Sequence, residues 1–444
     1  MKLHLVIGFL LLVSHSFAQT PATSPTPTPS ASAEKIRAKT FGSSLKKYKA
    51  KEPRDFQDRA KSKESNDVET IRVTTDLVVN DVLVTDQNGK MVTELNKDDF
   101  LVTEDGAPQT IQVFSPGQGG PSPRSIVLII DCTFLQAPYL KNSIEAAKML
   151  VDRLAPQDKM AIVTVDVKLV VDFTADKTLL KKTLSSLLKD PILESRKELN
   201  AWLPQFKDDP RLSKRVWDIL EKNGVGPGRE FEALLAVLNE MFDREDRQRI
   251  VIFQGDGNEI MELTPNKDTS DKIANSAGEA RTRFNREKAA KNFEFSDIEE
   301  AIERSRATIY SVAPGIRFLG LSNEEQKARA EFALTNLYRA FGGRGEAPAR
   351  LREVAQSPIA ELLLAGQIAM FRIAELSGGS LSFIEKPEDA EEAYSNIFNL
   401  ISNRYVIGYY PTNHAQDGKR REMKVVVRNH PEYVVTGRTA YFPQ

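Results

Sequence analysis

Between residues 124 and 402, short apolar runs alternate with amphipathic stretches, and this alternation restricts the fold more than any other feature. SIVLIID (125–131) precedes LKNSIEAAKMLVDRLA. DKMAIVTVD (158–166) and KLVVDFTA (168–175) follow, separated only by a turn. Next come KTLLKKTLSSLLK, a helical insertion, FEALLAVLNEMFDR, the run QRIVIFQGDGNE (248–259), ATIYSVAPG (307–315) and SLSFIEKPEDAEEAYSNIFNLIS. Apolar strands alternating with amphipathic helices imply a mostly parallel, doubly wound sheet with helices on both faces. The short link between the second and third strands predicts an antiparallel hairpin at one edge of that sheet. Asp131 and Asp256 each close a strong apolar strand, and parallel α/β sheets place their ligand chemistry at that end.

The two ends of the chain have a different period. Residues 68–117 alternate apolar and polar residues and carry two turn signals, Asn88-Gly89 and Asp105-Gly106. Residues 403–444 alternate again in NRYVIGYYPTN, REMKVVVRN and EYVVTGRTAYF. Each set alone has too little apolar area for an independent core. The expectation is one β-sandwich assembled from both ends, with the α/β unit (124–402) inserted; two separate β modules are the alternative. Helical insertions are expected near 190–229 and 265–300.

The first residues, MKLHLVIGFLLLVSHSFAQT, have a basic start, an apolar core and Ser16-Phe17-Ala18. This is the pattern of a secretory signal peptide (1–18) cleaved after Ala18; an uncleaved anchor helix is the alternative, and its apolar core is short for a bilayer. A secreted or periplasmic chain without a transmembrane anchor is expected. Residues 19–33 form a Pro/Ser/Thr-rich linker. Residues 34–67 form a basic, disordered arm, with eleven Lys/Arg and five Asp/Glu from 34 to 64; a solvated tail or an electrostatic contact would both have this composition. The whole chain has a formal net charge of -1, which offers no global attraction to nucleic acid. Cys132 is the only cysteine, so no intramolecular disulfide forms. Of the four histidines, only His414 and His430 lie beyond the signal peptide, which leaves little for a Ser-His-Asp or zinc site.

VTELNKDDFLVTEDGAPQTIQVFS, SIVLIID, RIVIFQGDGNE, IAELSGGSLSFI and the C-terminal NRYVIGYYPTN…DGKRREMKVVV…GRTAYF together resemble the von Willebrand factor A-related exported proteins of acidobacteria. The resemblance covers about 68–442. It implies an A-type fold and a metal-ion-dependent adhesion site holding magnesium or manganese. In that site the first strand supplies Asp-x-Ser-x-Ser, a second loop a Thr, and a third loop an Asp, and a partner's acidic residue completes the shell. Such an ion takes six oxygens near octahedral geometry.

Carried over residue by residue, Asp131 takes the first position and Thr133 replaces the first Ser, while Leu135 brings no oxygen to the second. Asp256 matches the third-loop Asp. Glu230, in GPGRE, is matched to the second-loop Thr, with Gly226 and Gly228 shaping that loop. A weak divalent-ion site of Asp131, Thr133, Glu230 and Asp256 is one expectation; a metal-free vestige held by backbone N–H groups is the other. Cys132 reads as a small buried hydrophobe rather than a nucleophile, and Tyr409-Tyr410 as strand-end packing.

Three functions remain open at this point. One is a non-enzymatic binding module that engages an unidentified extracytoplasmic protein or envelope component. The second is a metal-assisted hydrolase using Asp131, Asp256 and Glu230. The third is a structural envelope subunit. The lack of a recognisable base or nucleophile set beside the carboxylates favours binding.

Overall fold

A run such as Arg124–Ile130, apolar from Ile126 onward and buried at every position, can only be a strand whose sheet is covered on both faces. In the computed structural model it is the central strand of the α/β unit. Residues 37–48, 77–117, 123–133, 136–188, 229–242, 247–257, 293, 295–340, 344–346, 349 and 359–443 are described. The expected signal peptide, the linker, most of the basic arm, most of both insertions, Leu135, Gly226 and Gly228 lie outside them.

In chain order the strands are β1 (Val78–Thr85), β2 (Phe100–Glu104), β3 (Ala107–Gln109), β4 (Ile111–Ser115), β5 (Arg124–Ile130), β6 (Lys159–Thr164), β7 (Lys168–Thr174), β8 (Gln248–Gln254), β9 (Thr308–Pro314), β10 (Leu381–Ile384), β11 (Tyr405–Tyr409), β12 (Arg421–Val427), β13 (Val434–Thr436) and β14 (Ala440–Tyr441). The helices are α1 (Ala137–Arg153), α2 (Lys177–Leu187), α3 (Glu230–Glu240), α4 (Phe295–Ser305), α5 (Asn323–Ala340), α6 (Ile359–Ser377) and α7 (Ala390–Ser402). The architecture is mixed α/β, with one mostly parallel sheet and two antiparallel ones.

The six-stranded sheet has the order β10-β9-β8-β5-β6-β7. All its pairs are parallel except β6 with β7, the expected edge hairpin. Side chains alternate across it as the period of two requires. Ile126, Leu128 and Ile130 share one core with α1, α2 and α7. Val127 and Ile129 share the other with α3, α4 and α6. From β5 the chain first builds outward through β6 and β7, then crosses back to β8 on the other side. The junction of β5 and β8 is therefore the switch point of the topology, where a crevice opens at the carboxyl ends of the strands.

The terminal segments form two four-stranded antiparallel sheets, β13-β1-β11-β4 and β14-β12-β2-β3. Each mixes strands from both ends: Val78 pairs with Tyr409, and Val102 with Val425. Val78, Val82 and Val84 share one core with Met423 and Val427. The Asp105-Gly106 signal is a tight hairpin between β2 and β3, with both residues at positive φ (47° and 83°) as a type I′ turn demands. Arg404 ties these sheets to the α/β unit. Its guanidinium donates to the carbonyls of Asp81 (2.7 Å), Gly378 (2.7 Å) and Thr436 (3.0 Å) and to the Tyr310 hydroxyl.

One stretch of the basic arm differs from its expected disorder. Within 37–48, Leu45 and Tyr48 are buried against α3, in the core it shares with the sheet. The Glu240 carboxylate accepts the backbone N–H groups of Gly42 (2.9 Å) and Ser44 (2.7 Å). The high charge of the arm conceals the apolar residues Phe41, Leu45 and Tyr48, and these outweigh the tendency of their neighbours to stay solvated.

Candidate functional site

Three chain segments meet at the switch point. β5 delivers Asp131 and β8 delivers Asp256, each just past the end of its strand. α3 presents Glu230 as its first residue, where a carboxylate also meets the positive end of the helix dipole. Each of the three carboxylates has an oxygen within 4.8 Å of the others. Asp131 and Glu230 are buried, at 1% and 2% exposure.

Local hydrogen bonds fix this arrangement. The Asp131 N–H donates to the Gln254 carbonyl at 3.1 Å, so the pairing of β5 with β8 runs one residue past the strand end. Asp131 Oδ1 accepts the Thr133 N–H at 2.6 Å. The Asp256 N–H donates to Glu230 Oε1 at 2.8 Å, which locks the loop after β8 onto the start of α3. Gly255 makes this approach possible, because any Cβ there would overlap the Glu230 carboxylate. Gln136 Nε2 donates to Asp256 Oδ2 at 3.0 Å from the start of α1.

The electrostatics follow from burial and crowding. Burial pushes the Asp131 carboxyl up from its ordinary 3.8 to about 7, and the charge of Asp256 adds to the rise. Hydrogen bonds from the Thr133 backbone and hydroxyl, and with Glu230, act in the opposite direction. A proton or a cation relieves such a cluster. The donor set is all oxygen, hard and confined to a few ångströms, which suits magnesium or manganese rather than a soft metal.

All four sequence-derived residues lie at this edge. The structure brings Asp131, Glu230 and Asp256 into one cluster and places Thr133 on Asp131 rather than at a separate position. Two contributors were not anticipated. Gln136 sits immediately after the motif and looks like the start of a helix. Gly255 stood only as one residue of the run QRIVIFQGDGNE. The close approach of a side chain 25 positions away leaves no mark in the local sequence. Cys132 is half-buried and packs against the core beside α1 and α7. Tyr409 is buried with its hydroxyl on Glu104 Oε2 at 2.9 Å, while Tyr410 is exposed.

No protein-family model matches the chain, and no curated protein matches it. It is similar to several solved structures at low identity. An aerotolerance-related membrane protein of Bacteroides fragilis, carrying multiple mutations to serine, is 12% identical over 62% of this chain and 98% of that one, with a TM-score of 0.30. BatB of Bacteroides thetaiotaomicron is 15% identical over 63% and 99%, with a TM-score of 0.28. The manganese-loaded TRAP protein of Plasmodium vivax is 10% identical over 77% and 98%, with a TM-score of 0.24. Likeness at this level concerns broad architecture alone. Among the described residues no helix is long and apolar enough to cross a membrane.

Proposed function

We propose that this chain is an exported, von Willebrand factor A-like binding module. In this reading the α/β unit is inserted into a β-sandwich of the terminal strands. It engages an extracytoplasmic protein or envelope component through the carboxylate edge of its parallel sheet. One observation carries the proposal: three carboxylates from three separate segments converge at the topological switch point, two of them buried. Buried like charges are costly unless they have a task or a counter-ion.

Asp131, Glu230 and Asp256, with the Thr133 hydroxyl, are the residues that would hold magnesium or manganese. When bound, such an ion supplies a positive centre for an oxygen ligand. Thr133 orients Asp131, Glu230 holds the Asp256 loop, and Gln136 fixes the outer oxygen of Asp256. Binding is preferred to catalysis because the two histidines beyond the signal sequence belong to loops of the antiparallel sheets. The carboxylates are all held in hydrogen bonds to their own scaffold, and no nucleophile–base pair is built around them among the described residues.

Affinity capture from the native envelope on the immobilised chain tests the reading. A partner should be retained in magnesium and lost with chelator or with Asp131→Ala. A retained set that ignores both chelator and substitution would contradict it.

A further inference from the structure

The helix that delivers Glu230 is tied at both ends. α3 has eleven residues, which at about 1.5 Å per residue is roughly 16 Å of helix. Phe231 and every residue from Ala233 to Leu238 are buried, so the helix is packed on nearly all sides and moves as one body. Its first residue, Glu230, accepts the Asp256 N–H at 2.8 Å. Its last, Glu240, accepts the N–H groups of Gly42 and Ser44. One residue earlier, Asn239 Oδ1 accepts Lys47 Nζ at 2.7 Å, and Asn239 Nδ2 donates to the Tyr48 hydroxyl at 3.3 Å. The segment 37–48 therefore grips the last turn of α3. It also reaches the support of the first turn. The start of α3 makes no side-chain cap hydrogen bond; instead the Arg229 N–H donates to the Val165 carbonyl at 2.7 Å. Val165 opens the turn between β6 and β7, and Val167 in that turn has a φ of 63°, which a β-branched residue keeps only when its neighbours hold it there. Gly42 is one such neighbour, since a Cβ on it would stand 3.0 Å from Val167 Cγ1. Arg37 adds an ion pair to Asp172 of β7 at 3.4 Å.

We propose that residues 37–48 are a cis-acting effector of the carboxylate centre. Docked on α3, the segment holds Glu230 beside Asp131 and Asp256; its departure releases Glu230 and weakens ion binding. This rests on the ion-centre reading and adds its regulation. The segment precedes β1 and pairs with no strand among the described residues, so it can leave without opening a sheet. Its anchors are few: Leu45 and Tyr48 in the core beside α3, Phe41 packed against that core, and the bonds to Glu240 and Asn239. Without them the last turn of α3 loses its partners, and the β6–β7 turn loses the contact that helps hold Val167. Reciprocity follows. If docking raises ion affinity by a given factor, the ion raises docking affinity by the same factor. A segment that merely added stability to the fold would have no such tie to the ion.

Magnesium titration calorimetry on the full chain, with fluorescence anisotropy of a labelled, blocked peptide of residues 37–48, tests this. Leu45→Asp combined with Tyr48→Asp detaches the segment, and circular dichroism checks that the variant is folded. This variant should bind magnesium about ten-fold more weakly than the wild type, and saturating peptide should restore the affinity. On the same variant the peptide should bind about ten-fold more tightly in saturating magnesium than in chelator at constant ionic strength. Glu240→Ala leaves the apolar contacts in place and carries the test should the double variant not fold; it should weaken magnesium binding by a smaller factor of about three. Ion affinity unchanged by detachment, or peptide binding that ignores magnesium, would overturn the proposal. A wild type that binds no magnesium defeats the ion-centre reading itself, whereas wild-type ion affinity in every variant defeats the coupling alone.

Discussion

Asp131→Asn should make the metal-free protein more stable at mildly alkaline pH. The substitution removes the buried charge but keeps an oxygen for the Thr133 N–H. In the folded chain the Asp131 carboxyl titrates near 7 rather than 3.8. Between those values the native state holds a proton that the unfolded state has released. Wild-type stability therefore falls as pH rises through this window, by about 1.4 kcal/mol per unit. The full rise from 3.8 to about 7 corresponds to a loss on the order of 4 kcal/mol. Asp256 and Glu230 share the charge of the cluster, so about 2 kcal/mol is the working figure for one carboxylate. Urea denaturation in chelator should show the variant more stable by about that amount near pH 8 and equal to wild type near pH 4. Magnesium should reverse the ranking, stabilising only the wild type, by about 2.7 kcal/mol at a hundredfold excess over Kd. A variant less stable than wild type near pH 8 in chelator would refute the crowding argument.

Other outcomes follow from single contacts. Gly255→Ala should displace Glu230 from the Asp256 N–H and cost about 1–3 kcal/mol, read by denaturation together with weakened ion binding. Arg404→Leu leaves the carbonyls of Asp81, Gly378 and Thr436 without their donor; a loss of about 3 kcal/mol is expected. Calorimetry should then resolve the antiparallel sheets and the α/β unit as separate transitions. Leu45→Ala should cost about 2–3 kcal/mol, whereas a solvated tail at 37–48 would show no change on thermal melting.

Much of the α/β unit was legible because its strands are buried on both faces and so stay apolar without interruption, as from Ile126 to Ile130. The alternating terminal segments were legible for the complementary reason: each was too small to stand alone. Asp131 and Asp256 could be placed together because both follow parallel neighbours, and strand ends in such a sheet share an edge. Glu230 was reached only by matching a loop, and its role depends on Gly255, a tertiary approach with no periodicity. The packing of 37–48 was hidden by composition, since three apolar residues among many charges decide it only when α3 is already there to receive them.

The central claim is that Asp131, Glu230 and Asp256 act as one divalent-ion centre. Isothermal titration calorimetry of the purified chain with magnesium and with manganese tests it most directly, alongside Asp131→Ala and Leu135→Ser. The account predicts one ion per chain in the wild type, none in Asp131→Ala, and tighter binding in Leu135→Ser, where a hydroxyl replaces a side chain with no ligand atom. No ion binding in the wild type and none gained in Leu135→Ser would contradict it.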